Sequence, residues 1–212
     1  MIDKAYYVPA DGCRTEFIER KSRFITTLAR VKTVAEADAF LAKIRAEFPD
    51  ATHNCAAYRI KDPLVERFFD DGEPGGTAGM PMLDVLKKQE LFDVAVVVTR
   101  YFGGILLGAG GLVRAYSKGA ADAVHEAGLA LMERGVRLEL RCGYHLYDRV
   151  QRMQEMQRAE ILATDFGAEI RIELMLRASE EERLAKSLAD LSAGTAVLER
   201  LEELFYPFKT IC

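Results

Sequence analysis

The most constraining feature of the chain is an apolar run, Val94-Ala-Val-Val-Val98, that leads through Thr99-Arg-Tyr101 into a glycine-rich turn. Alternation is absent from the run, so a strand over Asp93–Tyr101 must be covered on both faces. After the turn, small and apolar residues recur at helical spacing (Leu112, Val113, Tyr116, Ala120, Ala123, Val124), which predicts a long helix over Gly111–Ala127 with Gly128 just beyond its end. A doubly covered strand needs helices on both sides of its sheet.

The preceding sequence supplies candidates for both layers. Thr15–Ile18, Ser22–Val31 and Asn54–Ile60 read as strands. Thr33 and Glu36 form a capping box before a helix with Val34, Ala37, Leu41, Ile44 and Phe48 on one face, stopped at Pro49-Asp50. Lys61–Gly79 reads as a loop, and Pro81–Gln89 as a short helix with proline in its first turn.

The pattern changes near Glu133–Gly135, which divides the chain into domains 1–134 and 135–212. The second part reads β-α-β-β-α-β. Its strands are Val136–Cys142, Glu160–Asp165, Ile170–Arg177 and Thr195–Tyr206. Its helices are Leu146–Arg158, with Val150, Met153 and Gln157 inward, and one opened by a second capping box, Ser179–Glu182, with Leu184, Leu188 and Leu191 inward. Two such halves predict a ferredoxin-like sandwich. The fold class expected for the whole chain is α+β, in two domains.

Composition excludes several roles. The start, Met1–Gly12, has neither a basic segment nor an apolar one, and no stretch reaches the ~18 apolar residues of a spanning helix, so no membrane partner and a cytoplasmic location are expected. Cys13, Cys55, Cys142 and Cys212 form no C-x-x-C pair, and His53, His125 and His145 are scattered, so no metal and no cofactor are expected. A net charge of -4 argues against nucleic-acid binding by bulk charge, while leaving room for a local basic groove. From residue 137 onward eleven Lys/Arg face fourteen Asp/Glu, so the second part is mildly acidic.

Three stretches exceed what a core needs. The first is Asp70, Asp71, Gly72, Glu73, Pro74, Gly75, Gly76, Thr77, Ala78 and Gly79, a conformational loop. Its three acids serve either as turn caps, the preferred reading, or as oxygen ligands for Mg²⁺. The second is Thr99–Gly111, running into Arg114 and Lys118. Gly103, Gly104, Gly108, Gly110 and Gly111 permit close helix packing, or else expose amides at a helix start where Arg100, Arg114 and Lys118 would complete an anion site. The third is His53–Arg59, where His53, Cys55, Ala57 and Arg59 share one side of a strand. A Cys–His nucleophile lacks an orienting third group there, and a half-buried polar strand end is preferred, with His53 and Arg59 lining a groove.

These stretches, H-N-C-x-A-Y, D-D-G-E-P-G-G-T-A-G-x-P and V-T-R-Y-F-G-G-I-L-L-G-A-G-G-L-V-R-A-Y, resemble the signature of the IMPACT family in its bacterial YigZ-type form. The resemblance implies a first domain like the second domain of ribosomal protein S5 and a second domain like the last domain of elongation factor G. It also implies contact with RNA or the ribosome. Eukaryotic relatives restrain a stress-responsive initiation-factor kinase through an added N-terminal RWD domain, for which this chain has no room. The resulting expectation is a non-enzymatic RNA- or ribosome-binding protein of translation regulation. RNA would lie over His53, Arg59, Arg100, Tyr101, Arg114, Lys118 and the glycine turn, with Tyr58 or Tyr101 stacking on a base. The alternatives are a Mg²⁺-dependent enzyme acting on a phosphorylated small molecule or nucleotide, and a regulator that binds a protein partner.

Overall fold

A computed structural model describes residues 4–156 and 159–209 and divides the chain into two compact units, 1–131 with 209–212, and 132–208. The first unit is built on a five-stranded sheet. In chain order its elements are β1 (Tyr6–Pro9), β2 (Cys13–Glu19), β3 (Ser22–Arg30), α1 (Val34–Glu47), β4 (His53–Ile60), β5 (Val65–Phe69), α2 (Gly79–Lys88), β6 (Val94–Tyr101) and α3 (Ala109–Ala127). The sheet order is β2-β3-β6-β4-β5, with every neighbouring pair antiparallel. β1 does not belong to this sheet; it pairs with the strand that follows α3, and Tyr7 makes an isolated bridge to Leu91.

The apolar run therefore occupies the central strand. Val94, Val96 and Val98 pack with Met82, Leu86, Leu112, Tyr116 and Ala120 from α2 and α3. Ala95 and Val97 pack with Ala37, Leu41 and Ile44 from α1. Alternate residues of one strand thus enter two cores, and this is why its sequence shows no polar face. β4 behaves the same way: Cys55 and Ala57 face α2 and α3, while Ala56, Tyr58 and Ile60 face α1.

Local signals placed most of these elements. Thr33 Oγ1 accepts from the Glu36 amide, and Glu36 Oε2 reaches back to the Lys32 amide, so the first capping box forms one residue wider than expected. Gly128, at φ 65°, ends α3. The loop expected over Lys61–Gly79 needs correction, because β5 pairs with β4 within it. As a five-residue strand at the sheet edge carrying Glu66 and Arg67, β5 lacks the apolar alternation that marks half-buried strands.

In the second unit, β7 (Leu129–Cys142) begins seven residues before the expected strand. It is followed by a 3₁₀ turn at Tyr144–Leu146, α4 (Tyr147–Met156), β8 (Glu160–Phe166), β9 (Ile170–Arg177), a second 3₁₀ turn at Ala178–Glu180, α5 (Glu181–Ser192) and β10 (Val197–Lys209). β9 lies between β7 and β8, antiparallel to both, and β10 pairs with β7. The order β10-β7-β9-β8 with two helices is the ferredoxin-like arrangement, and the α+β, two-domain class holds. Val150, Met153, Leu184 and Leu188 fill this core. The second capping box does not form: the 3₁₀ turn absorbs Ser179, and Glu180 takes the N-cap position without a side-chain bond. Gln157, Arg158 and Cys212 lie outside the described residues.

Candidate functional site

The three unusual stretches converge on one carboxylate. His53 opens β4, Arg100 is its direct partner on β6, and Glu73 comes from the loop after β5. Arg100 Nη1 donates to Glu73 Oε1 at 2.6 Å, and the Tyr116 hydroxyl of α3 donates to the same oxygen at 2.7 Å. His53 Nε2 stands 3.8 Å from it. The side chains of Arg100 and Glu73 are only 5% and 3% exposed, so this is a buried ion pair. Arg100 Nη2 also reaches Ser22 Oγ, and its guanidinium lies between the rings of Phe24 and Phe102.

Asp70 builds the loop that delivers Glu73. Its carboxylate accepts from the amides of Gly76 at 2.8 Å, Ala78 at 3.2 Å and Gly79 at 2.8 Å. Thr77 Oγ1 closes a turn on the Pro74 carbonyl. Asp71 Oδ2 accepts from the Asn54 amide, and the Asp71 carbonyl lies 2.8 Å from His53 Nδ1. A carbonyl can only accept, so Nδ1 carries a proton and donates to it. The loop acids thus act as caps and turn anchors. Among the described residues, no group of three or more His, Cys, Asp or Glu is arranged to hold a metal ion.

Several expected roles are corrected here. Arg100 cannot meet a phosphate while buried against Glu73. Arg59 sits at the far end of β4, buried against Glu66 and the carbonyls of Leu86 and Leu91, where it closes the end of α2. It does not share a groove with His53. Tyr58 is wholly buried in the α1 core and has no face for a base. Tyr101 remains half-buried, its hydroxyl on Asp50 and Arg23 over its ring.

The glycine turn divides between packing and exposure. A Cβ on Gly103 would lie 2.0 Å from the Lys21 backbone, so that glycine serves close packing. The Gly103 amide is taken by Ser22 Oγ. Gly104 and Gly108 have positive φ, and Gly108 caps α3. Gly110 and Gly111 lie in the first helical turn. Among the described residues no hydrogen bond is found to the amides of Ala109, Gly110 or Gly111. Arg114 runs beside them, its Nη1 3.6 Å from where a Cβ on Gly110 would be, and no ion-pair partner for it is found among the described residues.

Two cavities meet at Leu107. One, of about 230 Å³, is lined by Phe17, Glu19, Arg20, Gly111, Arg114 and Lys118. Lys118 also pairs with Asp122 and lies over the Phe17 ring. The other, of about 350 Å³, is walled by Phe102, Leu106, Leu107 and Leu112, with Thr52, His53, Glu73 and Arg100 also lining it. Sequence reasoning missed Phe17, Arg20, Phe102 and Tyr116 as parts of the site. For Phe102, the available signal was a large apolar residue set directly before the glycines of the turn.

Cys55 is no nucleophile. Its thiol donates to the Asp70 carbonyl and lies 3.4 Å from the Tyr116 hydroxyl. Burial pushes it up to about 12, and the negative charge of Glu73, Asp71 and Asp70 adds to the effect. Burial, the Cys55 sulfur and Glu73 likewise push the Tyr116 phenol up, so its hydroxyl stays a donor.

This geometry defines a two-domain α+β protein whose first domain carries an exposed helix start beside cationic and apolar cavities. The description Impact N-terminal domain matches residues 20–124, and a domain of unknown function (DUF1949) matches residues 140–195. The chain is 40% identical to an IMPACT family member of Haemophilus influenzae, over 93% of this chain and 97% of that one. It is 38% identical to the IMPACT family member YigZ of Escherichia coli, over 94% and 100%. Protein IMPACT of Rattus norvegicus is 37% identical over 42% of this chain and 30% of its own. A crystal structure of a protein described only as hypothetical superposes with a TM-score of 0.60 at 35% identity, covering 95% of this chain and 99% of that one. The chain belongs to the IMPACT family.

Two outcomes follow from this geometry. Asp70→Ala removes three charge-assisted hydrogen bonds and is expected to cost about 2 kcal/mol in denaturant unfolding, with faster hydrogen exchange at Gly76 and Gly79. Unchanged stability would show that the loop is held by other contacts. Cys55 should resist iodoacetamide near pH 8 in the folded protein and react once urea unfolds it. Rapid native labelling would contradict its burial.

Proposed function

We propose that this protein binds RNA through the first domain, alone or on the ribosome, and acts in translation regulation in the cytoplasm, without catalysing a reaction. The observation that carries the reading is the cationic cavity at the start of α3. Arg20, Arg114 and Lys118 surround it and Gly111 lines it, and among the described residues no hydrogen bond is found to the amides of Ala109–Gly111. A helix start adds positive potential to that of the side chains, which suits phosphate oxygens. Phe17 supplies an apolar wall against sugar or base. Family membership supports the reading through the eukaryotic relatives, although the chain matches only the domain it shares with them. The overall charge of -4 makes local placement of cations the deciding factor.

The test is fluorescence anisotropy with single-stranded RNA. Affinity should fall steeply between about 50 and 200 mM salt, and Arg114→Ala should reduce the salt slope by about 1 as one phosphate contact is lost. Salt-independent binding, or an Arg114→Ala protein indistinguishable from the parent, would refute the reading. Cellular association that survives nuclease would point to a protein partner instead.

A further inference from the structure

A third cavity, of about 420 Å³, lies at the other end of the first domain's sheet. Arg59 stands at that end of β4 as His53 stands at the first, and the strand between them spans about 20 Å. The whole lining belongs to the first unit. It contains the cations Lys4, Arg59, Lys61 and Lys87, and they differ in how they are partnered. Lys87 is paired with Glu66 at 2.6 Å. Arg59 directs Nε to Glu66 and Nη1 to the Leu86 and Leu91 carbonyls, but Nη2 has no hydrogen bond among the described residues and stays within reach of solvent. The Arg59 side chain is only 9% exposed, so this donor is held in place. Lys61 has no carboxylate partner among the described residues. Its Nζ rests on aromatic faces, 4.2 Å from the centre of the Phe92 ring and 5.3 Å from that of Tyr6. Such contacts steady an ammonium without neutralising it. Lys4 likewise lines the cavity with no ion-pair partner among the described residues.

We infer that this cavity binds a small organic phosphate, one phosphoryl group carried on a planar apolar body. Lys4, Lys61 and Arg59 Nη2 are charged donors from three segments of the chain, and a phosphate monoester offers them three terminal oxygens and up to two negative charges. The rest of the wall is apolar: Tyr7, whose ring is part of a residue 36% exposed, with Phe92 and Leu131. A bare ion would leave that surface uncovered. The volume falls within the ~300–1,000 Å³ usual for small-molecule sites and leaves room for a ring beyond the phosphate. Glu90 is the one acid in the lining and opposes a longer polyanion, so a single phosphoryl group suits the cavity better than a chain of them. The inference goes beyond the RNA-binding reading and does not rest on it, because this cavity shares no lining residue with the cationic cavity beside Arg114.

The experiment is calorimetric titration of the full chain at low salt with phenyl phosphate, inorganic phosphate and phenol. Phenyl phosphate should bind at least about tenfold tighter than inorganic phosphate, because burial of its ring adds to the charge-assisted bonds. It should also bind at least about tenfold tighter than phenol, which has no charge for the lysines. Lys61→Met and Lys4→Ala should each weaken phenyl phosphate binding by about tenfold, the loss expected of one hydrogen bond between charged groups. Lys61→Arg should keep most of the affinity, since it keeps the charge. Urea unfolding establishes that each variant is folded, and Lys4→Ala, at an exposed residue, decides the matter if Lys61→Met is not. Arg114→Ala should leave phenyl phosphate affinity unchanged, which separates this cavity from the proposed RNA site. Affinity that survives both lysine variants, or that is no greater for phenyl phosphate than for inorganic phosphate or phenol, would overturn the inference. Loss of affinity in Arg114→Ala, or no binding of phenyl phosphate, would overturn it as well.

Discussion

One oxygen atom, Glu73 Oε1, holds the first domain's unusual parts together. It accepts from a strand arginine and a helix tyrosine, faces a histidine, and is delivered by a glycine-rich loop. Breaking a buried ion pair by removing one partner typically costs about 3–5 kcal/mol, because the remaining charge has lost its compensation. The loop over 70–79, the end of β6 and the middle of α3 are therefore fixed relative to one another. The helix start and both cavities inherit that placement. Rigid placement matters for a binding surface, since every group fixed beforehand lowers the entropy cost of capturing a ligand.

The acids and glycines of the loop have separate duties. Asp70 satisfies the amides of the turn, while Asp71 orients Asn54 and His53. Only Glu73 is directed into the interior. The negative charge of the loop thus does not confront the cationic cavity, where Glu19 is the one acid in the lining. An acidic protein can present a local cationic surface because its acids elsewhere are occupied in pairs, as with Glu16 on Arg23 and Glu47 on Arg14.

Much of this was readable from residues. The unbroken Val94–Val98 run implied a doubly covered strand, and Thr33 with Glu36 marked a helix start. The three motif stretches marked the site. Their mutual pairing was not readable, because Arg100 and Glu73 are 27 positions apart and Tyr116 and Glu73 43 apart, and spacing along a chain carries no information about such contacts. Arg100 looked available for phosphate since arginine is usually exposed, yet its strand register points it inward beside Phe24. Tyr58 failed as a stacking residue for a related reason: in a strand covered on both faces, neither side of the chain faces water.

The central claim is that Glu73 and Arg100 act as one buried unit, and a double-mutant cycle tests it most directly. Glu73→Gln, Arg100→Met and the double variant would be unfolded in urea alongside the parent. The account predicts strong coupling, with the double variant more stable than the sum of the single losses implies by at least about 1.5 kcal/mol. Additivity within about 0.5 kcal/mol would mean that the two side chains are independent, and the loop, helix and strand would then need another cause for their convergence.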